Sequence, residues 1–127
     1  MDLNLFYCKH CNKIIAVIEN PDVVTICCGE PMRPLRASMT DGSVEKHVPQ
    51  IKVRDNCVSV TVGEEPHPME TDHFIHWILL ETTSGRQRKI LHPGERPGAN
   101  FLISKDERVK VVYCYCNLHK LWEKEAA

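Results

Sequence analysis

Seven cysteines and seven histidines are the side chains of this 127-residue chain best suited to chemistry, and they are unevenly spread. Cys8, Cys11, Cys27 and Cys28 crowd the start, Cys57 stands alone, and Cys114 and Cys116 lie near the end. Among the histidines only His10 precedes residue 40. The chain therefore opens thiolate-rich and continues imidazole-rich. These are ligands of different softness, so the division points to two metal sites of different character.

Cys8-Lys9-His10-Cys11 is a C-x-x-C knuckle, and Cys27-Cys28-Gly29 follows it. Four thiolates in this pattern suit a tetrahedral S4 site for zinc or iron. Two adjacent cysteines reach one ion only if the backbone between them is distorted, and Gly29 is placed to relieve that strain. The competing reading is a redox C-x-x-C or a disulfide pair. His10, inside the knuckle, is expected to face solvent.

The second set is more dispersed. His47 lies in Glu45-Lys46-His47-Val48-Pro49 and His67 in Glu65-Pro66-His67-Pro68-Met69. His73 is expected to open a strand, and Cys116 and His119 form Cys116-Asn117-Leu118-His119. A C-x-x-H pair at a strand end can take one ion from two sides. Imidazole suits iron, copper and zinc, and thiolate donates more electron density. Taken singly, each of these histidines reads more readily as an ordinary surface or core residue than as a ligand.

The elements that must hold these groups are short. Pro31-Met32-Arg33-Pro34-Leu35-Arg36 reads as an extended linker, dividing the chain into residues 1–36 and 37–127. Domains below about 40 residues usually need a metal, disulfides or a partner copy to fold, so a metal in the first piece would be a folding requirement. The second piece reads as all-β. Ile51–Arg54 and Cys57–Val62 flank a turn at Asp55-Asn56, and His73–Thr83, Phe101–Ser104 and Arg108–Cys116 are further strands. Lys105-Asp106-Glu107 is a charged turn, and His92 to Gly98 is a loop by its prolines and glycines. Short strands so punctuated suggest a sandwich or barrel.

Composition narrows the function classes. Hydrophobic residues make up 43%, enough for a core, and 16 basic against 17 acidic residues argue against a nucleic-acid partner. An anionic substrate remains compatible, because steering depends on local charge. No stretch approaches the roughly 18 apolar residues of a membrane span, and the start lacks a signal-peptide pattern. A soluble, cytoplasmic protein is expected, in which cysteine clusters serve as metal ligands or catalysts sooner than as disulfides.

The segments Cys8-x-x-Cys11, Cys27-Cys28-Gly29, Glu45-Lys46-His47-Val48-Pro49, His67-Pro68-Met69, His73-Phe74-Ile75 with Trp77-Ile78, and Cys116-Asn117-Leu118-His119 with Leu121-Trp122 resemble, in order, those of the desulfoferrodoxins. That family is the two-iron class of superoxide reductases, and the resemblance covers nearly the whole chain. It implies a small desulforedoxin-like domain, related to rubredoxin, over 1–36, with one iron on Cys8, Cys11, Cys27 and Cys28. It implies an immunoglobulin-like β-sandwich over 37–127, with a second iron on His47, His67, His73, His119 and axial Cys116. The implied reaction is reduction of superoxide to hydrogen peroxide by one electron and two protons. Lys46 would attract the anion and order water for protonation, and Glu45 would occupy the sixth position in the resting ferric state. A rubredoxin-like donor and a homodimer are the implied partners. A rubredoxin-like electron carrier without superoxide turnover and a zinc-binding interaction module are the competing readings.

The chain departs from the family pattern in places. Lys120 stands where glycine is usual, which would strain a positive φ by about 1 kcal/mol. His76 stands where an acidic residue is common, and strand alternation would turn it away from His73. Cys114 is expected to be a buried thiol on the face of Cys116, Cys57 to be structural and His92 to be a loop residue.

Overall fold

The computed structural model describes residues 3–37 and 47–126, and the chain divides into two compact units, Met1–Arg36 and Ala37–Ala127. In the first, β1 (Leu5–Tyr7) lies between β2 (Ile14–Ala16) and β5 (Arg33–Pro34) in an antiparallel sheet, and β3 (Ile26–Cys27) pairs with β4 (Glu30–Pro31) in a separate hairpin. The buried apolar set of this unit is small: Leu5, Cys8, Met32 and Leu35. Ile18, Val23, Val24 and Ile26 are exposed.

The segment expected to be a linker is not one. Phe6 pairs with Pro34 and Tyr7 with Arg33, and Met32 and Leu35 turn inward. Proline is tolerated because β5 is an edge strand that need not donate on its outer side. The prolines thus favour extension as read, but the extended chain closes a sheet.

Among the described residues the second unit has seven strands in two sheets. β6 (Pro49–Arg54), β7 (Cys57–Val62) and β10 (Gly98–Leu102) form one, in the order β10-β7-β6. β8 (Ile75–Thr82), β9 (Arg86–Ile90), β11 (Val109–Cys116) and β12 (Lys120–Glu125) form the other, in the order β12-β11-β8-β9. Period-2 alternation explains β7: Val58, Val60 and Val62 are fully buried while Cys57, Ser59 and Thr61 are partly exposed. These valines join Phe101 and Ala99 against Ile75, Ile78, Leu80, Val112, Cys114, Cys116 and Trp122 in one core cluster. Two sheets of three and four antiparallel strands over a shared core make an immunoglobulin-like sandwich.

Three strand expectations need correction. His73 does not open a strand; it pairs with Glu70 in an isolated bridge, and β8 begins at Ile75. β10 begins at Gly98, earlier than the expected Phe101, and ends at Leu102. β9 and β12 are strands where none was expected.

A β-bulge sits where β8 meets the end of β11. Tyr115 faces Trp77 and Cys116 faces Ile75, so His76 is the extra residue. The bulge lets Ile75 and Ile78 both face the core, three positions apart. His76 keeps the face of Phe74, as alternation predicts: their rings stack at 4.2 Å, and His76 meets Tyr115 edge-on at 6.0 Å.

Candidate metal centres

The first candidate centre lies at the tips of two hairpins. The β1–β2 connection carries the knuckle: the Cys8 amide donates to the Lys13 carbonyl and the Asn12 amide to the Cys8 carbonyl. The β3–β4 turn is two residues long, and Cys28 (φ 52°) and Gly29 (φ 78°) both take left-handed conformations. Such a turn requires positive φ at both central residues. Glycine adopts it without strain and Cys28 does not, so the distortion expected between adjacent cysteines falls on Cys28 itself.

The sulfurs of Cys8, Cys11, Cys27 and Cys28 all lie within 4.8 Å of one another. The Cys11 and Cys27 sulfurs are 3.7 Å apart, and those of Cys27 and Cys28 4.0 Å. A metal held at roughly 2.3 Å by four tetrahedral thiolates sets its sulfurs about 3.8 Å apart. Disulfide sulfurs would stand at about 2.0 Å, and all seven cysteines are free thiols. Backbone N–H groups of Cys11 and His10 draw the Cys8 thiol down to about 6, while its sulfur neighbours push Cys27 up to about 12 and raise Cys28. Cys11 and Cys28 are exposed and Cys8 is buried. His10, exposed as expected, pairs with Glu30 at 3.2 Å, and Lys9 approaches the same oxygen at 3.5 Å.

The second candidate centre lies at one end of the sandwich. His47 precedes β6, His67 and His73 lie on the β7–β8 connection, Cys116 ends β11 and His119 lies in the β11–β12 turn. Pro49 pairs with Val62, Ile75 with Cys116 and Cys116 with Lys120, so antiparallel pairing brings all five segments to one rim. The imidazoles form a closed cycle. Ring centroids are 4.7 Å apart for His47–His67, 4.8 Å for His67–His73, 5.4 Å for His73–His119 and 4.5 Å for His119–His47, each pair edge-to-face. Ligand atoms of His47, His67, His73 and Cys116 lie within 4.8 Å of one another. His119 is not part of that group; its Nδ1 lies 3.9 Å from the Cys116 sulfur.

These residues fit a metal ion chemically. The Nε2 atoms of His67 and His73 are buried without a hydrogen-bond partner, an arrangement that is unfavourable unless something fills it. His67 Nδ1 lies 2.7 Å from the Pro68 carbonyl, which only accepts, so Nδ1 holds the proton and Nε2 presents its lone pair. Burial holds this ring neutral, with its pKa pushed down to about 4. Cys116 is fully buried; burial raises its thiol while the Leu118 and His119 N–H groups act the other way. An adjacent cation would complete that stabilisation of the thiolate.

Several residues that sequence reasoning passed over hold this rim together. Asn117 accepts from the Phe74 amide at 3.2 Å and donates to the Asp72 carbonyl at 2.8 Å, gripping the chain on both sides of His73. The Ile75 amide meets the Met69 sulfur at 3.4 Å, and the Gly94 amide donates to the Met69 carbonyl. Trp122 stacks on His47 at 5.0 Å and donates to the His119 carbonyl at 3.1 Å. Met69, Asn117 and Trp122 stand in the motif segments, but nothing in the sequence gives them these roles. Lys120 has φ 67° and its ammonium lies 3.5 Å from the Asn117 carbonyl. Of the other residues singled out, Cys114 is fully buried as expected. Cys57 is partly exposed on β7, opposite the buried valines, and His92 pairs with Glu95 in its loop at 2.9 Å. Glu45 and Lys46 lie outside the described residues.

Comparison with known proteins agrees with this architecture. The family model described as Desulfoferrodoxin matches residues 39–125. The desulfoferrodoxin of Nitratidesulfovibrio vulgaris is 42% identical over 122 residues, covering 96% of this chain and 95% of that protein. The crystal structure of the superoxide reductase from Treponema pallidum aligns with TM-score 0.79 and 30% identity, covering 95% of this chain and 98% of that one. The one-iron superoxide reductase of Giardia intestinalis aligns with TM-score 0.56 and 33% identity, covering 65% of this chain and 97% of that one. With a four-cysteine cluster, a rim of histidines around a buried cysteine, and relatives alike over almost its full length, this chain belongs to the desulfoferrodoxin family.

Proposed function

We propose that this protein is a superoxide reductase carrying two iron ions, one on Cys8, Cys11, Cys27 and Cys28 in residues 1–36 and one on His47, His67, His73, His119 and Cys116 in residues 37–127. The observation that carries the reading is the cycle of four imidazoles beside a buried cysteine. That donor set offers four borderline nitrogens and one strongly donating sulfur, which suits iron. Iron bound there supplies the single electron that converts superoxide, with two protons, to hydrogen peroxide.

The chain's own residues would do the rest. Cys116 presents its sulfur from the core, where burial keeps competing water away, and its thiolate pushes electron density toward the metal. The imidazoles would hold the ion, which would supply a binding position for a small anion. Lys46 would draw superoxide in and order water for protonation, and Glu45 would cover the sixth position at rest. The first centre, with Cys11 and Cys28 exposed, would be an accessory one, and a rubredoxin-like protein would donate the electron. The few buried residues of that unit, beside exposed Ile18, Val23, Val24 and Ile26, favour a homodimer.

Pulse radiolysis of the reduced protein tests the activity. Superoxide should oxidise the histidine-bound iron rapidly, at a rate that falls with added salt. A histidine-bound iron inert to superoxide would leave an electron carrier, and zinc in both sites of protein taken from its natural host would end the redox reading.

A further inference from the structure

We infer that Cys114 and Trp122 form a cross-strand brace that positions His47 and His119 for the metal, so that Cys114 is a positioning residue of the second centre. This inference rests on the proposed ligand set. The two residues sit directly opposite each other on β11 and β12, and both are buried in the core cluster. From one strand, the Cys114 thiol donates to the His47 carbonyl at 3.2 Å. From the other, the Trp122 indole lies over the His47 ring, at 5.0 Å between centroids and 22° between planes. The indole N–H donates to the His119 carbonyl at 3.1 Å.

His47 needs such an anchor. It precedes β6, which belongs to the three-stranded sheet, whereas Cys116 and His119 flank the β11–β12 turn of the four-stranded sheet. Among the described residues no strand ladder joins the two sheets, so packed side chains help to set the spacing of ligands across them. The brace makes that connection: one partner fixes the His47 backbone, and the other fixes its ring plane and the His119 backbone. The 4.5 Å contact between the His47 and His119 rings lies beside it. Partners that orient metal ligands typically change metal affinity by 10–100-fold when removed.

Cys114→Ser retains a hydroxyl donor for the His47 carbonyl, and Cys114→Ala removes the donor. Each variant, purified with both irons, would be mixed in the ferrous state with a strong chelator well below its melting temperature. The visible band and reduction potential of the ferric histidine–cysteine centre would be recorded in parallel. The expected result is iron release about tenfold faster in Cys114→Ala, with a shifted potential, and near the parent rate in Cys114→Ser. The band of the four-cysteine centre should stay constant in both. A simple core cavity would lower the melting temperature of Cys114→Ala and leave release rate and potential in place, and that result overturns the inference. Equal acceleration in Ser and Ala overturns it too. Should Cys114→Ala not fold, Trp122→Phe reads the brace from the opposite strand: it keeps the stacked ring and loses the donor to His119. Faster release in it supports the brace, and parent-like release and potential overturn it.

Discussion

At the scale of single residues, the histidine–cysteine rim is strained and clamped in different places. Lys120 holds φ at 67°, a conformation costing a non-glycine residue about 1–2 kcal/mol. Lys120→Gly relieves this, partly offset by the greater freedom of glycine in the unfolded chain. A net gain of up to about 1 kcal/mol is expected as a higher denaturation midpoint at unchanged slope. Lys120→Ala keeps the strain and loses the ammonium beside the Asn117 carbonyl, so it should gain nothing. If Lys120→Gly proves less stable than the parent, the ammonium contact outweighs the backbone. Asn117 does the opposite work, bonding to Asp72 and Phe74 on either side of His73. Asn117→Ala should weaken iron at the second site by about 10- to 100-fold, read by chelator competition, with the four-cysteine centre untouched; equal affinities would show that His73 holds its place without Asn117. These roles also mark how far the site was legible. Cys8-x-x-Cys11 with Cys27-Cys28 announces itself by spacing, because thiolates so close in sequence have few other uses. His47, His67 and His73 join only through the fold, and Cys114, Asn117 and Trp122 act through hydrogen bonds that no spacing rule encodes.

At the scale of elements, the turn between β10 and β11 is tied to the end of β8 by one carboxylate. Glu107 accepts from the Ser104 amide at 2.8 Å and from the Thr82 hydroxyl. The Thr82 bond first, and the Ser104 bond second, hold its pKa below the ordinary 4.5. A carboxylate depressed in the folded state stabilises fully above its unfolded pKa, and that stabilisation is lost as pH falls through the folded value. Parent protein should therefore be more stable than Glu107→Gln at pH 6, with the gap narrowing as pH drops below about 4.5. Denaturant midpoints at both pH values measure this, and a gap independent of pH would remove the carboxylate charge from the account. The strands around this turn differ in how plainly the sequence declares them. β7 is visible because Val58, Val60 and Val62 alternate with Cys57, Ser59 and Thr61. β9 is not, because Arg86-Gln87-Arg88-Lys89-Ile90 is an edge strand that carries one apolar residue. β12 hides its buried pair, Leu121 and Trp122, in adjacent positions among charges. β5 is masked by prolines that an edge strand accepts.

At the scale of the whole molecule, the two units differ in what holds them. The second has a continuous core shared by two sheets, drawn from five of its strands with Ile51 of β6 packed against it. Among its described residues the first buries Leu5, Cys8, Met32 and Leu35, and one of those four is itself a candidate ligand. Its hairpin turn also keeps Cys28 in a left-handed conformation, which is unfavourable unless its thiolate is fixed. Structural metal sites of this kind contribute about 10–16 kcal/mol of apparent binding free energy, realised only in the folded state. The metal should thus be the main stabilising element of residues 1–36 and a minor one for the sandwich. Cys11→Ser removes one exposed ligand from the first centre without touching a buried side chain. Native-state hydrogen exchange should then show the amides of β1–β5 losing protection, while those of β6–β12 exchange as in the parent. The visible band of the histidine–cysteine iron should persist in the same sample. Retained protection across β1–β5 would mean that the small core suffices without a complete ligand set. Loss of protection in β6–β12 as well would mean that the two units unfold as one, and the separate stabilisation of each would have to be abandoned.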